Sequence, residues 1–284
     1  ASAIAVLDAA GGVAQIVLLK PGTGYTTPPT VTLSGGGGSG ATAVAVKNWV
    51  TMTAPQADPT RDIHVTALLV DEHTLDEVQF DLTFSQQGRP FWVWGTGIKP
   101  GETTQDFAKD NYYFSFTRLA ASGTITIAGT THEVTGTTWM DHEYGYFGGS
   151  SADARVRWLL QDLQLDNGYS ISNAGILTVG YKPEIDVPVD AYATVQDAEG
   201  NLYYVASTIT PVGELWTSPA TGNVYAQQFH VQIPSFQADL TVSVLVQNQE
   251  FPIAASPVYE GVAKPTGTML GKPVTGDAWI EQAY

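Results

Sequence analysis

The stretch GTTWMDHEYGYF, residues 136–147, packs an acid, an imidazole, a second acid and four aromatic rings into one short segment. Most of the remaining sequence is rich in Thr, Val and Gly, as in a plain β-scaffold. A scaffold rarely needs Asp141, His142 and Glu143 side by side, because charged groups are costly to bury unless they are paired. We therefore predict the reactive centre of the chain in this stretch.

An extended strand through this stretch divides its side chains between two faces, because successive residues point to opposite sides. One face carries two carboxylates beside an indole: Trp139, Asp141 and Glu143. The other carries an imidazole beside a phenol: Met140, His142 and Tyr144. Ligand pockets are mostly apolar with a few placed polar groups. We therefore expect the second face to line a pocket, with His142 transferring a proton.

Two other interpretations of the stretch are open. In the first, Asp141 and Glu143 cap turns and pair with an arginine at 118, 155 or 157, while His142 is a satisfied core residue. In the second, these side chains and His132 bind a metal ion. Adjacent strand residues point apart, and the chain has no His-x-His pair, so we predict no metal site.

The composition predicts an all-β protein. Apolar residues make up 43% of the 284 residues and charged residues 14%, which is enough for a folded core. The 29 Gly and 16 Pro, with abundant Thr and Val, favour short strands joined by tight turns. Regularly spaced strands are typical of closed barrels. The length suits two barrels, at 1–145 and 146–284, of which the first begins with a Gly-rich β module at 1–47.

Charge and residue usage exclude several classes of function. A net charge of −16 argues against nucleic acid and anionic membrane surfaces, and no apolar run approaches the roughly 20 residues that span a bilayer. The absence of Cys excludes thiol chemistry. The Gly-rich tract at 34–40 precedes a β-run and lacks a Lys, so we expect it to bind no nucleotide. We also expect no other cofactor. The start Ala-Ser-Ala favours an exported protein after signal removal, with a cytoplasmic location as the alternative.

Aromatic residues are the second distinctive feature of the sequence. Such side chains either fill a core or line a pocket for a long apolar ligand. The candidates for binding a small apolar substrate are Trp92, Trp94, Tyr113, Phe116, Trp139, Met140, Trp158 and Trp216.

Several segments resemble the carotenoid 1,2-hydratase and AttH-like family, to which kievitone hydratase and fungal lipocalin-like Diels–Alderases look related. NYYFSFTRL at 111–119 with SGTITI at 122–127 resembles the family's Tyr-Tyr-Ser-x-x-Arg-Leu…Gly-Thr-Leu run. VTGTTWMDHEYG at 134–145 resembles its signature Gly-x-x-Trp-x-Asp-His-Glu/Gln-Trp-Gly. Further matches follow in family order at 158–168, 216–222, 259–261 and 276–281, so the resemblance covers roughly 60–284.

The resemblance implies two tandem lipocalin-like (calycin) antiparallel β-barrels with an apolar ligand site near their junction. It also implies that His142 and Tyr144 help to protonate an isoprenoid double bond, with Tyr169 similar to a downstream tyrosine of the family. Tyr144 stands where the family has Trp, and Ser170 and Ile171 stand where it has an acidic residue. Residues 1–47 would substitute for the missing start of the family's first barrel.

The expected function is therefore an enzyme that hydrates or rearranges a C=C bond of an isoprenoid or polyketide-like molecule. The catalytic candidates are Asp141, His142, Glu143, Tyr144 and Tyr169. A non-catalytic carrier of a hydrophobic ligand and a structural surface protein are the alternatives, since one fold hosts many functions.

Overall fold

A computed structural model describes residues 2–7, 10–20, 30–33, 48–54, 61–71, 74–102, 106, 108–146, 156–251 and 257–284. In these ranges the chain forms strands and two 3-10 turns, Val93–Gly95 and Pro234–Phe236, and no α-helix. None of the helical segments there has the length and apolar character needed to cross a bilayer. The all-β prediction is confirmed. The Gly-rich tract at 34–40 lies outside the described residues.

The chain divides into two compact units. The first unit combines residues 1–85 with 121–136, and the second combines 86–120 with 137–284. Two long strands, β7 and β8, contribute residues to both units. The domain boundary proposed from length, between 145 and 146, stays a prediction.

The first eight strands form antiparallel pairs, and β6 with parts of β7 and β8 belong to the second unit. β1 (Ser2–Leu7) and β2 (Val13–Lys20) form a hairpin. The strand path of a six-stranded sheet is β3-β4-β5-β7-β6, with β8 paired to β7. Its members are β3 (Trp49–Thr53), β4 (Asp62–Val70), β5 (Glu77–Gln86), β6 (Phe91–Trp92), β7 (Asn111–Ile127) and β8 (Thr130–Gly145).

The remaining strands form a closed antiparallel barrel in the second unit. Their bounds are β9 (Arg157–Leu165), β10 (Ser170–Leu177), β11 (Val189–Gln196), β12 (Leu202–Thr217), β13 (Val224–Ile233), β14 (Ala238–Val244), β15 (Glu250–Phe251), β16 (Val258–Met269) and β17 (Lys272–Ala283). The order is β14-β13-β12-β11-β10-β9-β17-β16, and pairing of β14 with β16 closes the ring of eight strands. β15 pairs with β16 outside the ring.

Strand alternation sorts the barrel residues into an inner and an outer face. On β9, Leu159, Leu163 and Leu165 belong to the buried apolar core of the barrel. The alternate residues, including Trp158 and Asp162, therefore point outward. The same reasoning places Ile280 inside the barrel and its neighbours on β17 outside. The candidate site lies on this outer face.

Candidate active site

The outer face of the barrel carries carboxyl groups on three neighbouring strands. Asp162 on β9 lies directly opposite Trp279 on β17, and Glu281 on β17 lies directly opposite Glu260 on β16. Asp162 and Glu281 are therefore diagonal neighbours on one face, with Cα atoms about 7–8 Å apart. We refer to Asp141, Asp162, Glu260 and Glu281 as the carboxyl cluster.

Asp162 is deeply buried and only 3% exposed. Burial raises the pKa of its carboxyl well above the ordinary value, and the negative charge of Asp141 raises the pKa further. Ser172 lies opposite Asp162 in register on β10. Its hydroxyl is within hydrogen-bonding reach of Asp162 and lowers the pKa of that carboxyl. Oδ1 of Asp162 has no hydrogen-bond partner among the residues that the structure describes. Burial therefore favours the protonated form of Asp162, whose Oδ1 is an unsatisfied oxygen.

Strand β8 brings Asp141 close to Asp162. Oδ1 of Asp141 accepts a hydrogen bond from Nε1 of Trp139 at 2.7 Å and another from the hydroxyl of Ser115 on β7. The hydroxyl of Tyr113 also lies within reach of this carboxylate, and burial raises the pKa of Tyr113, so it remains a donor. Donors favour an ionised carboxylate, which only accepts. Asp141 thus accepts hydrogen bonds from several donors, whereas burial favours the protonated form of Asp162.

The other two members of the carboxyl cluster repel each other, because like charges directly opposite on neighbouring strands are destabilising. Burial, and then the charge of Glu260, raise the pKa of Glu281 from 4.5 to about 7. Nε1 of Trp158 donates to Oε2 of Glu281 at 2.9 Å, and Nε1 of Trp279 donates to Oε2 of Glu260 at 2.7 Å. An indole N–H thus fixes each carboxyl group in position.

The raised pKa of Glu281 predicts that stability falls with rising pH. The folded state retains a proton that the unfolded state loses, so the free energy of unfolding should decline between pH 4.5 and about 7. Replacing Glu281 with Gln should flatten this decline in denaturant unfolding measured across that range. The same substitution at the exposed Glu214 should leave the slope unchanged. An equal slope in wild type and Glu281→Gln would contradict the prediction.

Glu143 lies beside the carboxyl cluster on the same face of β8 as Asp141. It keeps solvent contact, yet the protein packed around it raises the pKa of its carboxyl by desolvation. A hydrogen bond with Asn111 and the charge of Lys99 act against this rise, while the charge of Asp141 adds to it. Its role as a catalytic residue stays a prediction.

The structure corrects the expectation about which face of β8 points inward. Trp139 and Asp141 face the carboxyl cluster, whereas His142 lies on the opposite face of β8, and both Asp141 and His142 are exposed. The imidazole packs among aromatic rings, with centroids 5.1 Å from Phe114 and 5.1 Å from Tyr144. The expectation that His142 faces an enclosed chamber is wrong, because alternation separates two faces without telling which one is buried. Its catalytic role stays a prediction.

The face of β8 that carries His142 belongs to an aromatic group. Tyr144 stacks on Tyr112, with centroids 5.4 Å apart and 14° between the ring planes. Trp92 and Phe116 pack against Phe114 at 5.8 and 5.6 Å. Trp92 remains 46% exposed and Phe116 only 2%, so the aromatic group extends from the surface into the core.

The predicted substrate-binding residues therefore fall into separate places. Tyr113, Trp139 and Trp158 contact the carboxyl cluster. Trp94 packs edge-on against Tyr113 at 5.7 Å, and Met140 is half-buried.

Two predicted residues lie elsewhere on the barrel. Tyr169 packs against Phe236 at 6.2 Å, and Trp216 stacks on Tyr225 at 6.1 Å. Neither contact includes a member of the carboxyl cluster. Two shallow clefts, one beside Trp49 and one beside Tyr181, also contain no member of the cluster.

The arginine and metal interpretations can be compared with the described residues. Nη2 of Arg118 donates to the carbonyl oxygens of Leu165 at 2.7 Å and Tyr169 at 2.8 Å, so it serves backbone groups. Arg155 lies outside the described residues. Within the described ranges, no three His, Asp or Glu side chains are grouped to hold a metal ion.

Sequence reasoning missed Asp162, Glu260 and Glu281. One signal was an internal repeat: VTGTTWMD at 134–141 and VTGDAWIE at 274–281 share Val-Thr-Gly-x-x-Trp-x-acid. Each copy ends in a carboxyl group of the cluster. A second signal was Asp162 itself, the one charged residue in the run WLLQDLQL at 158–165.

Comparisons with known proteins agree with this fold. A family profile described as AttH-like matches residues 31–283. No curated protein sequence matches the chain. An AttH protein of Nitrosomonas europaea is similar in structure, with 22% identity and a TM-score of 0.59 over 77% of this chain and 64% of that one. Kievitone hydratase of Nectria haematococca is also similar, with 18% identity and a TM-score of 0.61 over 86% of this chain and 70% of that one.

Fold and site together define a lipocalin-like β-protein with a buried carboxyl group, Asp162, beside Asp141 on the outer face of its closed barrel. The chain belongs to the AttH-like family, as the signature at 134–145 predicted. It spans 64% of the length of the N. europaea protein.

Proposed function

We propose that the chain is a hydratase that adds water across a C=C bond of an apolar isoprenoid or polyketide-like molecule, without a cofactor. The observation that carries the proposal is the buried carboxyl group of Asp162, paired with Asp141 and bearing an oxygen without a partner. The AttH-like family and the likeness to a kievitone hydratase support the same class of reaction.

Hydration of an alkene begins with a proton transfer to carbon, which requires an acid that is still protonated at neutral pH. Asp162 meets this requirement because burial opposes its ionisation. Asp141 meets the complementary requirement, since Trp139 and Ser115 stabilise its negative charge. When Asp162 releases its proton, the pair becomes more negative at the moment when the substrate becomes positive.

The surroundings of the pair suit a cationic transition state. Protonation of an alkene places positive charge on the neighbouring carbon, and fixed negative groups in a water-poor site stabilise that charge. The faces of indole rings attract cations as well. Trp139 and Trp158 therefore combine an apolar wall with stabilisation of the developing charge, and both are held by hydrogen bonds to carboxyl groups.

A carrier of an apolar ligand in the closed barrel is the less favoured alternative. The barrel core is largely apolar, and Leu163, Ile171, Phe229 and Leu240 are fully buried, although strand alternation also places the buried side chains of Gln161 and Asn173 inside. The carboxyl cluster lies on the outer face instead.

The proposal is tested by incubating the protein in D2O with kievitone, a prenylated phenol and an acyclic isoprenoid alkene. We expect at least one product that has gained one water. It should carry deuterium on the former alkene carbon adjacent to the carbon that bears the new hydroxyl. The variant His142→Ala should retain this activity within about tenfold, because its ring packs against Phe114 and Tyr144 on the other face of β8 from Asp141, whereas loss of an acid–base group costs about 10²–10⁴-fold.

Two outcomes would contradict the proposal. Tight binding of an alkene with neither hydration nor deuterium exchange would identify a carrier. Loss of activity in His142→Ala by the larger factor, with unchanged unfolding, would move the acid from Asp162 to the imidazole.

A further inference from the structure

Glu281 is a member of the carboxyl cluster that the proton transfer does not use. It projects from β17 on the same face as Asp162, with which it is a diagonal neighbour about 7–8 Å away at Cα. In inverting glycosidases, two carboxyl groups that flank the scissile bond divide the work, one as acid and the other as the base that activates water. Asp162 and Glu281 lie on one face of neighbouring strands, so the same division of work is available to them.

We infer that Glu281 is the base that activates the attacking water, and this inference rests on the hydratase function proposed above. The proton of the Asp162 carboxyl goes to one alkene carbon, where a C–H bond forms as the π bond breaks. The water oxygen forms a C–O bond to the neighbouring carbon. The proton that leaves this water goes to the carboxylate of Glu281, and the cycle closes when that proton returns to Asp162 through solvent.

The hydrogen bonds of Glu281 fit this role. Nε1 of Trp158 holds Oε2 at 2.9 Å and fixes the orientation of the carboxylate. Within the described part of the chain, no donor occupies Oε1, which leaves that oxygen available for a water molecule. Trp158 thus positions the base, as Trp139 positions Asp141.

The charged groups around Glu281 tune its affinity for a proton. Glu260 faces it from β16, Asp141 and Glu143 act from β8, and all three charges raise the pKa of Glu281 together with burial, to about 7. Asp162 lies on the adjacent β9 and is coupled to Glu281 by charge. A base with a pKa near the working pH accepts a proton readily and is still partly ionised.

The internal repeat gives the arrangement a simple origin in the sequence. Both copies of Val-Thr-Gly-x-x-Trp-x-acid end in a member of the carboxyl cluster, Asp141 in one and Glu281 in the other. Asp141, in the first copy, lies beside the acid Asp162. Glu281, in the second copy, is the base. Similar strands therefore deliver two different functions because their neighbours differ: Ser115 and Trp139 donate to Asp141, whereas Glu260 opposes Glu281.

The test compares wild type with Glu281→Gln, using a prenylated phenol in D2O. Two rates are measured in the same reaction: formation of the hydrated product and deuterium exchange into the alkene. The exchange reports protonation by Asp162 and loss of a proton from the cation, without water addition. We expect Glu281→Gln to lose hydration by about 10²–10⁴-fold while exchange persists, and to lose the rise of kcat/KM with pH near 7.

Matched variants separate chemistry from structure. Glu281→Asp restores a carboxylate and should recover part of the water addition, which a purely structural role would not give. Asp277→Asn, on the same strand with a 74% exposed side chain, should behave as wild type.

Hydration and exchange that are both unchanged in Glu281→Gln would overturn the role of Glu281 and leave the hydratase function standing. Equal loss of both would assign Glu281 to the acid and overturn its role as base. A wild type that neither hydrates nor exchanges would overturn the proposed function and this inference together.

Discussion

Replacing Asp162 with Asn should reduce hydration and alkene deuterium exchange alike by about 10²–10⁴-fold. Asn keeps the size of the side chain but has no proton to transfer to carbon. The fold should persist, because a neutral amide replaces a carboxyl group whose ionisation is already opposed by burial. Rates in D2O with a prenylated phenol and denaturant unfolding of the same preparation check both statements.

The control for Asp162→Asn is the same chemical change at an exposed site. Asp277 pairs with Lys264 at 3.4 Å on the barrel surface, so Asp277→Asn should leave both rates unchanged. Hydration at the wild-type rate in Asp162→Asn would show that the proton comes from another group. Exchange that survives while hydration is lost would place Asp162 in water activation instead.

We therefore expect the variants Asp162→Asn and Glu281→Gln to affect the two rates differently, although the two side chains are neighbours. Loss of Asp162 stops protonation, so nothing that follows it can occur. Loss of Glu281 stops water capture, so the cation formed by Asp162 loses a proton and returns to an alkene. A general disturbance of the site would give the same pattern in both variants, because the two residues share the face formed by β9 and β17.

Local sequence patterns predicted much of the fold. The turns at Ala128-Gly129 and Leu270-Gly271 have positive φ at both residues, as two-residue hairpins require. The run at 111–127 that resembles the family forms one strand, Asn111–Ile127. Gly123 lies within this strand, where the absence of a side chain allows close approach to the carbonyl oxygen of Asp81.

The candidate site was only partly predictable from the sequence. The motif at 136–147 identified Asp141 and Trp139, and strand alternation placed them together. The choice of the inward face failed because it relied on the apolar character of the His142 face, whereas the buried partners come from β9, β16 and β17. Those partners are more than a dozen residues away in sequence, and pairing among β9, β16 and β17 brings them onto one face.

Replacing Gly276 with Ala should destabilise the barrel by about 3 kcal/mol, the upper part of the usual range for overpacking. A Cβ at this position would lie 2.1 Å from the carbonyl oxygen of Gln164 and 3.0 Å from the Cα of Leu165. β9 cannot easily retreat, because Nε2 of Gln164 donates to the carbonyl oxygens of Thr117 at 2.7 Å and Thr138 at 3.1 Å. Denaturant unfolding of wild type and variant measures the loss.

The internal repeat supplies the matched control for Gly276→Ala. Gly136 is the third residue of the other Val-Thr-Gly copy, and a Cβ there would meet no described atom within 4 Å. Gly136→Ala should therefore change the free energy of unfolding by no more than about 0.5 kcal/mol. Because β17 carries Glu281 and pairs with β9 at Asp162, Gly276→Ala should also lower hydration, while Gly136→Ala keeps it. Equal stability of the two variants would contradict the prediction. It would mean that β9 and β17 can move apart enough to accommodate the added methyl group.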